Sequence, residues 1–305
     1  MTGTCKGLSQ MSQLILQSIV LGILQGGLYA LMAIGLSLVF GVLRVVNFAH
    51  GEFAMLGSYG AYFAVSQMGL PAPVAIVAAA LAGGLAGLVT NSFVLGPIYS
   101  SRIERKGEYT IVATFVLSQL LIAAATVLFS TTYRKLPGLW NTNLNFLNTI
   151  FVSGNRIAAF AMAMALVALV FWIVYRTNLG RAWRALTQNQ LGAAVVGIDV
   201  KRYATYAFVV SGALAGVAAA LLAPLMFIFP SSGVVTLAKA FIVVIIGGMG
   251  SIGGSLVAGL LLGIIETMGT IWGASGYTDA YGFALMIAVL LWRPQGLFGQ
   301  KERMV

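Results

Sequence analysis

The sequence predicts an all-α fold: a polytopic helical membrane protein with about eight to nine transmembrane segments, some of them broken or re-entrant. Three observations predict it. Of 305 residues, 60% are hydrophobic and only 8% charged, with a mean hydropathy of +0.97, whereas a soluble domain carries roughly 25% charge. Such a chain lacks the polar surface to wrap its apolar content in water. Residues 7–43, 53–101, 109–133, 157–175, 203–238 and 240–265 contain no Asp, Glu, Lys or Arg, and a spanning helix needs about 20 mostly apolar residues. Glycine pairs four apart recur at Gly22/Gly26, Gly83/Gly87, Gly212/Gly216, Gly250/Gly254 and Gly259/Gly263, a spacing that lets membrane helices approach closely.

Nine apolar segments follow in order. The first, near 12–41, is too long for the apolar region of a signal peptide and reads as a retained helix. Pro71 and Pro73 separate 50–69 from 73–96, because proline opens a helix but does not continue one. Segments 109–131 and 156–178 are bounded by charged residues. Phe229-Pro230-Ser231-Ser232-Gly233 divides 204–229 from 233–249, and Gly247-Gly248-Met249-Gly250-Ser251 divides that segment from 252–272. The last lies near 277–293. Basic residues gather at Arg102, Arg105 and Lys106, at Arg176, Arg181, Arg184, Lys201 and Arg202, and at Arg293, Lys301 and Arg303. Short loops rich in Lys and Arg stay cytoplasmic. An odd number of crossings then puts the N-terminus outside, the C-terminus inside and the polar loop 131–155 outside, with Arg134 and Lys135 running against that assignment.

Several function classes are excluded. The net charge of +10 is spread thinly rather than gathered into a face that tracks phosphates, so no nucleic acid is expected. Cys5 is the lone cysteine and His50 the lone histidine, leaving neither an internal disulfide nor a zinc ligand set. No metal site is expected. Gly273-Ala274-Ser275-Gly276 is similar to the serine motif of rhomboid-like intramembrane proteases, but a serine nucleophile needs a base within hydrogen-bond reach. The sole histidine lies more than 200 residues upstream, where that resemblance requires one on a later helix. No catalytic residue is expected. None of the six lysines precedes Ser or Thr, so the chain has no Walker A nucleotide site.

Three polar features remain. Arg44, Asn47, His50 and Glu52 fall between two apolar stretches, where they form a hydrogen-bonded turn at the cytoplasmic end of the first helix or take part directly in transport. Lys239 and Glu266 sit inside apolar segments, where a charge is costly enough to require a partner. Each lies six residues from the outer end of its segment, about 9 Å at 1.5 Å per residue. The matched depth permits an ion pair, structural or part of a gate. The cytoplasmic stretch Asn178–Asp199 has Asn178 as a plausible N-cap and places Trp183, Leu186, Ala193, Ala194 and Gly197 near one helical face, interrupted by Gln190. That face lies against the bilayer or docks in a partner's groove.

At this stretch the chain resembles the permease subunits of ATP-binding-cassette importers, whose cytoplasmic coupling helix carries a loose A-A-x-x-G pattern, here Ala193-Ala194-Val195-Val196-Gly197. Further blocks sharpen the match to the branched-chain amino acid permeases: Gly27-Leu28-Tyr29-Ala30-Leu31, Asn47-Phe48-Ala49-His50-Gly51-Glu52, Gly180-Arg181-Ala182-Trp183-Arg184-Ala185, Lys239-Ala240-Phe241, Gly247–Gly254 and Arg293–Gly299. The spelling is similar to the smaller of the two related permeases. The resemblance implies that Gly180, Arg181, Arg184, Ala193, Ala194 and Gly197 couple to the ATPases. It implies as partners a second related permease, two ATPase subunits holding ATP and Mg, an extracytoplasmic substrate-binding protein and membrane lipid. The substrate would be a branched-chain or other hydrophobic amino acid, and the location the bacterial inner membrane. No cofactor would be bound by this chain itself. The implied organisation is an N-terminal extension 1–11, a permease domain 12–299 with a coupling loop 179–203, and a cytoplasmic tail 300–305, with Met1 and Met11 both open as the natural start. The alternatives are a urea or short-amide importer permease of the same family, a proton-coupled secondary transporter and a non-transport scaffold.

Overall fold

The computed structural model describes residues 2–100, 105–138, 142–146, 150–273 and 275–299; Arg102, Ala274, Lys301, Arg303 and the expected 300–305 tail lie outside them. The helices are α1 (Thr2–Leu43), α2 (His50–Tyr62), α3 (Ala72–Val89), α4 (Gly96–Ser100), α5 (Lys106–Phe129), α6 (Gly154–Arg176), α7 (Asn178–Gln188), α8 (Gln190–Val195), α9 (Val200–Leu222), α10 (Ser232–Gly247), α11 (Ile252–Trp272) and α12 (Thr278–Trp292). π-helical turns at Phe63–Gln67 and Thr90–Leu95 extend α2 and join α3 to α4. Met11–Leu43, Ala72–Tyr99, Lys106–Phe129, Gly154–Arg176, Val200–Leu222 and Ile252–Ile271 are long and apolar enough to span a membrane, and α10 and α12 are shorter apolar helices. The loop after α5 adds a short antiparallel hairpin, β1 (Asn143–Phe146) with β2 (Ile150–Ser153), which the all-α expectation did not contain.

Burial sorts the helices. The apolar stretch of α1 is 94% buried while that of α5 is 17% buried, so α1 is the central post and α5 turns most of its surface outward. Two seams hold the bundle, and four of the five glycine pairs make them. Gly22 and Gly26 on α1 press against Gly263, Ile264 and Gly259 on α11; Gly83 and Gly87 on α3 press against Gly212, Gly216 and Phe208 on α9. A Cβ at Gly26 would stand 2.6 Å from the Gly259 carbonyl oxygen. Backbone therefore packs on backbone, where dispersion and Cα–H···O contacts replace side-chain interdigitation. Numbering rises along one helix as it falls along its partner, so both seams are antiparallel.

The seams expose an internal relation. α1 packs on α11 as α9 packs on α3, and α2 and α10 meet at Gly51 and Gly233 in their first turns. The triplets α1–α2–α3 and α9–α10–α11 thus match with chain direction reversed, the arrangement of an inverted repeat. In each triplet a full-length helix is followed by a shorter one that starts inside the bundle.

Two expected boundaries are corrected. After α1 the chain reverses at Arg44, whose φ of +54° is the left-handed region few side chains adopt. Residues 45–49 then run back beside α1, so that His50 Nε2 lies 3.2 Å from the Met32 carbonyl oxygen. Met32 precedes the end of α1 by eleven residues, about 16 Å. The Asn47–Glu52 turn is therefore deep in the bundle rather than at the cytoplasmic end of the first helix. Segment 204–229 stops at Leu222, because Pro224 cannot continue the backbone ladder. Residues 223–231 return inward, and Ile228 bridges to Arg134 through backbone hydrogen bonds of 2.9 and 2.8 Å. Arg134 is also held by its guanidinium, 5.1 Å from the Tyr62 ring centre, 5.4 Å from that of Phe63, and donating to the Phe129 carbonyl. A structural role explains this basic residue in the loop.

Candidate functional site

The first group lies where α2 and α10 begin. The Asn47 side-chain oxygen accepts from the Ala49 amide at 3.0 Å, closing the turn into α2. His50 is fully buried between α1 and α9. A carbonyl only accepts, so Nε2 carries the proton toward Met32, and the Ser211 hydroxyl at 3.3 Å donates to Nδ1. With both ring nitrogens engaged, His50 is not free to serve as a base for Ser275. Glu52 Oε1 accepts from Ser118 on α5 at 3.2 Å, while Oε2 has no hydrogen-bond partner among the described residues and lies against Gly233. The carboxyl group thus sits at the N-terminal ends of two helices, where unpaired amides give a positive field. Asn47, His50 and Glu52 tie α1, α2, α5, α9 and α10 together. Among the described residues no group of three His, Cys, Asp or Glu could hold a metal ion.

The second group crosses α1, α10, α11 and α12. The Lys239 ammonium donates to Glu266 Oε1 and, at 2.7 Å, to Asp279 Oδ1. Tyr29 donates its hydroxyl to Glu266 Oε2 at 3.1 Å and accepts from Gln25 at 3.3 Å. Lys239 and Glu266 are 8% and 3% exposed, whereas the Asp279 side chain is 70% exposed. Sequence reasoning brought Lys239 and Glu266 together by depth but passed over Asp279 and Tyr29. The available signal was the position of Asp279 at the start of the last segment, the end nearest the depth of Lys239. Beside the group a cavity of about 210 Å³ opens between α10 and α12.

The third group is the α7–α8 element. Thr177 caps α7 by accepting the Gly180 amide at 3.2 Å, which moves the expected cap from Asn178, whose side chain instead accepts from Arg181. Gly180 has no room for a Cβ against the Ile173 and Val174 carbonyls. Arg184 donates to the Val174 carbonyl at the end of α6, with Tyr175 5.6 Å away. Trp183 and Leu186 are buried, and the Trp183 indole donates to the Tyr203 carbonyl at 3.0 Å. The single face expected from Trp183 to Gly197 is interrupted: Asn189 ends α7 and caps α8 through the Gly192 amide at 2.9 Å. Gln190 interrupts the apolar pattern because its amide donates to the Val42 carbonyl of α1 at 2.7 Å. Ala193 is buried, but Ala194 and Gly197 are exposed beside Leu191, Val195 and Val196, an apolar surface missed because the helix break turns it away from Trp183. Gly197 adopts φ +88° with open space around it, so glycine is needed there for backbone conformation.

The family described as branched-chain amino acid transport system / permease component matches residues 18–290. The chain belongs to this family. It is 33% identical to the high-affinity branched-chain amino acid transport system permease protein BraD of Pseudomonas aeruginosa, over 94% of this chain and 96% of that one. Identity to LivH of Escherichia coli K12 is 32%, with the same two coverages. The related LivM of that strain is 27% identical, over 88% of this chain and 67% of its own length. The permease therefore groups with the smaller of the two related subunits, and its apolar helices make it a multi-pass membrane protein.

Proposed function

We propose that this permease is one transmembrane subunit of an ATP-driven importer that carries branched-chain or other hydrophobic amino acids across the bacterial inner membrane by alternating access. A related larger permease completes the path, two separate ATPase subunits bind ATP and Mg, and an extracytoplasmic protein delivers the substrate. The chain enters from outside at α1 and leaves the last helix inside; residues 12–299 form the transporting unit, with 1–11 and 300–305 as extensions. The observation that carries the coupling role is the α7–α8 element, anchored to α1, α6 and α9 on one side and presenting Leu191, Val195 and Val196 on the other.

The mechanism follows from those anchors. An ATPase pair that closes on ATP carries α8 with it. Trp183, Arg184 and Gln190 pass the displacement to α9, α6 and α1, and α1 and α9 together hold His50 and hence the inner ends of α2 and α10. Nucleotide closure shifts the equilibrium only by binding one state more tightly than the other. This chain supplies no catalytic group to hydrolysis. The test is uptake of labelled leucine, urea and short amides into vesicles holding the co-purified assembly, with and without Mg-ATP. ATP-dependent leucine uptake is expected. Leucine uptake driven by a proton gradient without ATP, or uptake confined to urea and amides, would overturn the reading.

A further inference from the structure

We propose that the cavity between α10 and α12 binds the α-ammonium end of an apolar amino acid, with Asp279 as its counter-charge and Lys239 as the residue that positions Asp279. The inference rests on the amino-acid permease reading and deepens it by naming the chemistry that is recognised. Lys239 contributes one positive charge to the group, and Glu266 and Asp279 one negative charge each, so the group carries one surplus negative charge. That surplus is not on Glu266, which is 3% exposed and has Lys239 on one oxygen and Tyr29 on the other. It falls on Asp279, whose side chain is 70% exposed, lines the cavity and spends Oδ1 on Lys239.

The walls complete the match. Val234, Val235, Ile242 and Phe283 line the same space, an apolar surface for a hydrophobic side chain a few ångströms from a carboxylate. At about 210 Å³ the cavity is smaller than the roughly 300–1,000 Å³ of sites for drug-sized ligands, a scale suited to one amino acid. Lys239 offers three donors, two of which go to Glu266 and Asp279 while the ammonium lies 5.9 Å from the Tyr29 ring centre. A carboxylate lacking an ammonium would meet a net negative group and be rejected. Urea and short amides gain no ion pair from Asp279. Were Asp279 merely a first-turn partner for the α12 dipole, its loss would change stability and not ligand preference.

The test uses the assembled transporter in vesicles, with Cys5→Ser and Val234→Cys in this chain, and measures labelling of the new thiol. Leucine should slow labelling and 4-methylpentanoate should not; 3-methylbutylamine should protect at higher concentration. Asp279→Asn should raise the leucine needed for half-protection by about ten- to hundredfold, the size of a lost hydrogen bond to a charged group, and Asp279→Glu should restore part of it. If Val234→Cys fails to assemble, Phe283→Cys reads the same space from α12, and the KM of leucine uptake in Asp279→Asn, expected to rise about tenfold with little change in kcat, gives a readout without cysteines. Equal protection by leucine and 4-methylpentanoate, or an unchanged KM, overturns the proposal. ATP-driven leucine uptake with an unprotected thiol sinks the pocket alone, whereas absence of leucine uptake by the unmodified assembly sinks the amino-acid reading beneath it.

Discussion

Lys239→Met and Glu266→Gln should not cost the same. Glu266 is 3% exposed and Lys239 is its only cation among the described residues, so Lys239→Met leaves there a buried carboxylate with the Tyr29 hydroxyl alone. Breaking a buried pair from one side costs about 3–5 kcal/mol. Glu266→Gln leaves Lys239 still held by Asp279 at 2.7 Å, and the new amide oxygen still accepts from Tyr29, so its cost is closer to the 1–3 kcal/mol of one altered charged hydrogen bond. The double change removes both buried charges and leaves only the exposed Asp279 without its partner, worth about 0–1 kcal/mol. The coupling between the two positions should therefore reach about 2 kcal/mol or more. Unfolding free energies by steric trapping in bicelles would measure it, with membrane abundance alongside. Additivity within about 0.5 kcal/mol, or a larger loss for Glu266→Gln than for Lys239→Met, refutes the reasoning. Recovery of abundance without recovery of uptake in the double variant gives Lys239 or Glu266 a part in transport beyond the scaffold, through the gate or through the positioning of Asp279.

Three further outcomes are expected. Gly26→Leu and Gly216→Leu drive a side chain into the backbone of α11 and α3 and should abolish accumulation of folded protein, while Gly253→Ala, with nothing within 4 Å of its added carbon, should accumulate normally; equal blots for all three would discount the seams. Ser118→Ala deprives Glu52 of its described hydrogen bond and should destabilise by about 1–3 kcal/mol, read by thermal stability of the purified assembly; no loss would discount the tether. Gly197→Val forces a β-branched residue to φ +88° and, like Leu191→Glu, should reduce ATPase co-purification and uptake while leaving membrane insertion intact; normal uptake in both would remove α8 from the coupling role.

The apolar helices were legible because charge-free runs report the bilayer directly, and the two glycine seams because spacing by four marks a helix face. Depth was less legible. Val45, Val46, Phe48 and Ala49 have the composition of a helix interior, so nothing in their apolarity marks them as a strand of chain running back beside α1. Leu222 and Phe229 look alike to hydropathy, and only Pro224 between them signals the stop. Asp279 was missed because its partner lies 40 positions earlier on a helix two elements away. The break in the coupling stretch was hidden because Asn189 caps α8 from inside an otherwise helical pattern, and a cap is read from hydrogen bonds that composition does not contain.

The glycine seams have a mechanical consequence. Where carbonyl oxygens meet Cα atoms with no side chains between them, sliding one helix along the other raises backbone into backbone at every turn. α1 with α11, and α3 with α9, therefore form two plates whose helices are locked against sliding. The contact between the plates is softer: Gly35 of α1 faces the Ser211 carbonyl oxygen and the Leu214 side chain of α9, with the His50 imidazole wedged alongside. His50 is bonded to one plate through Met32 and to the other through Ser211, so any shift between the plates must stretch or break one of these two hydrogen bonds.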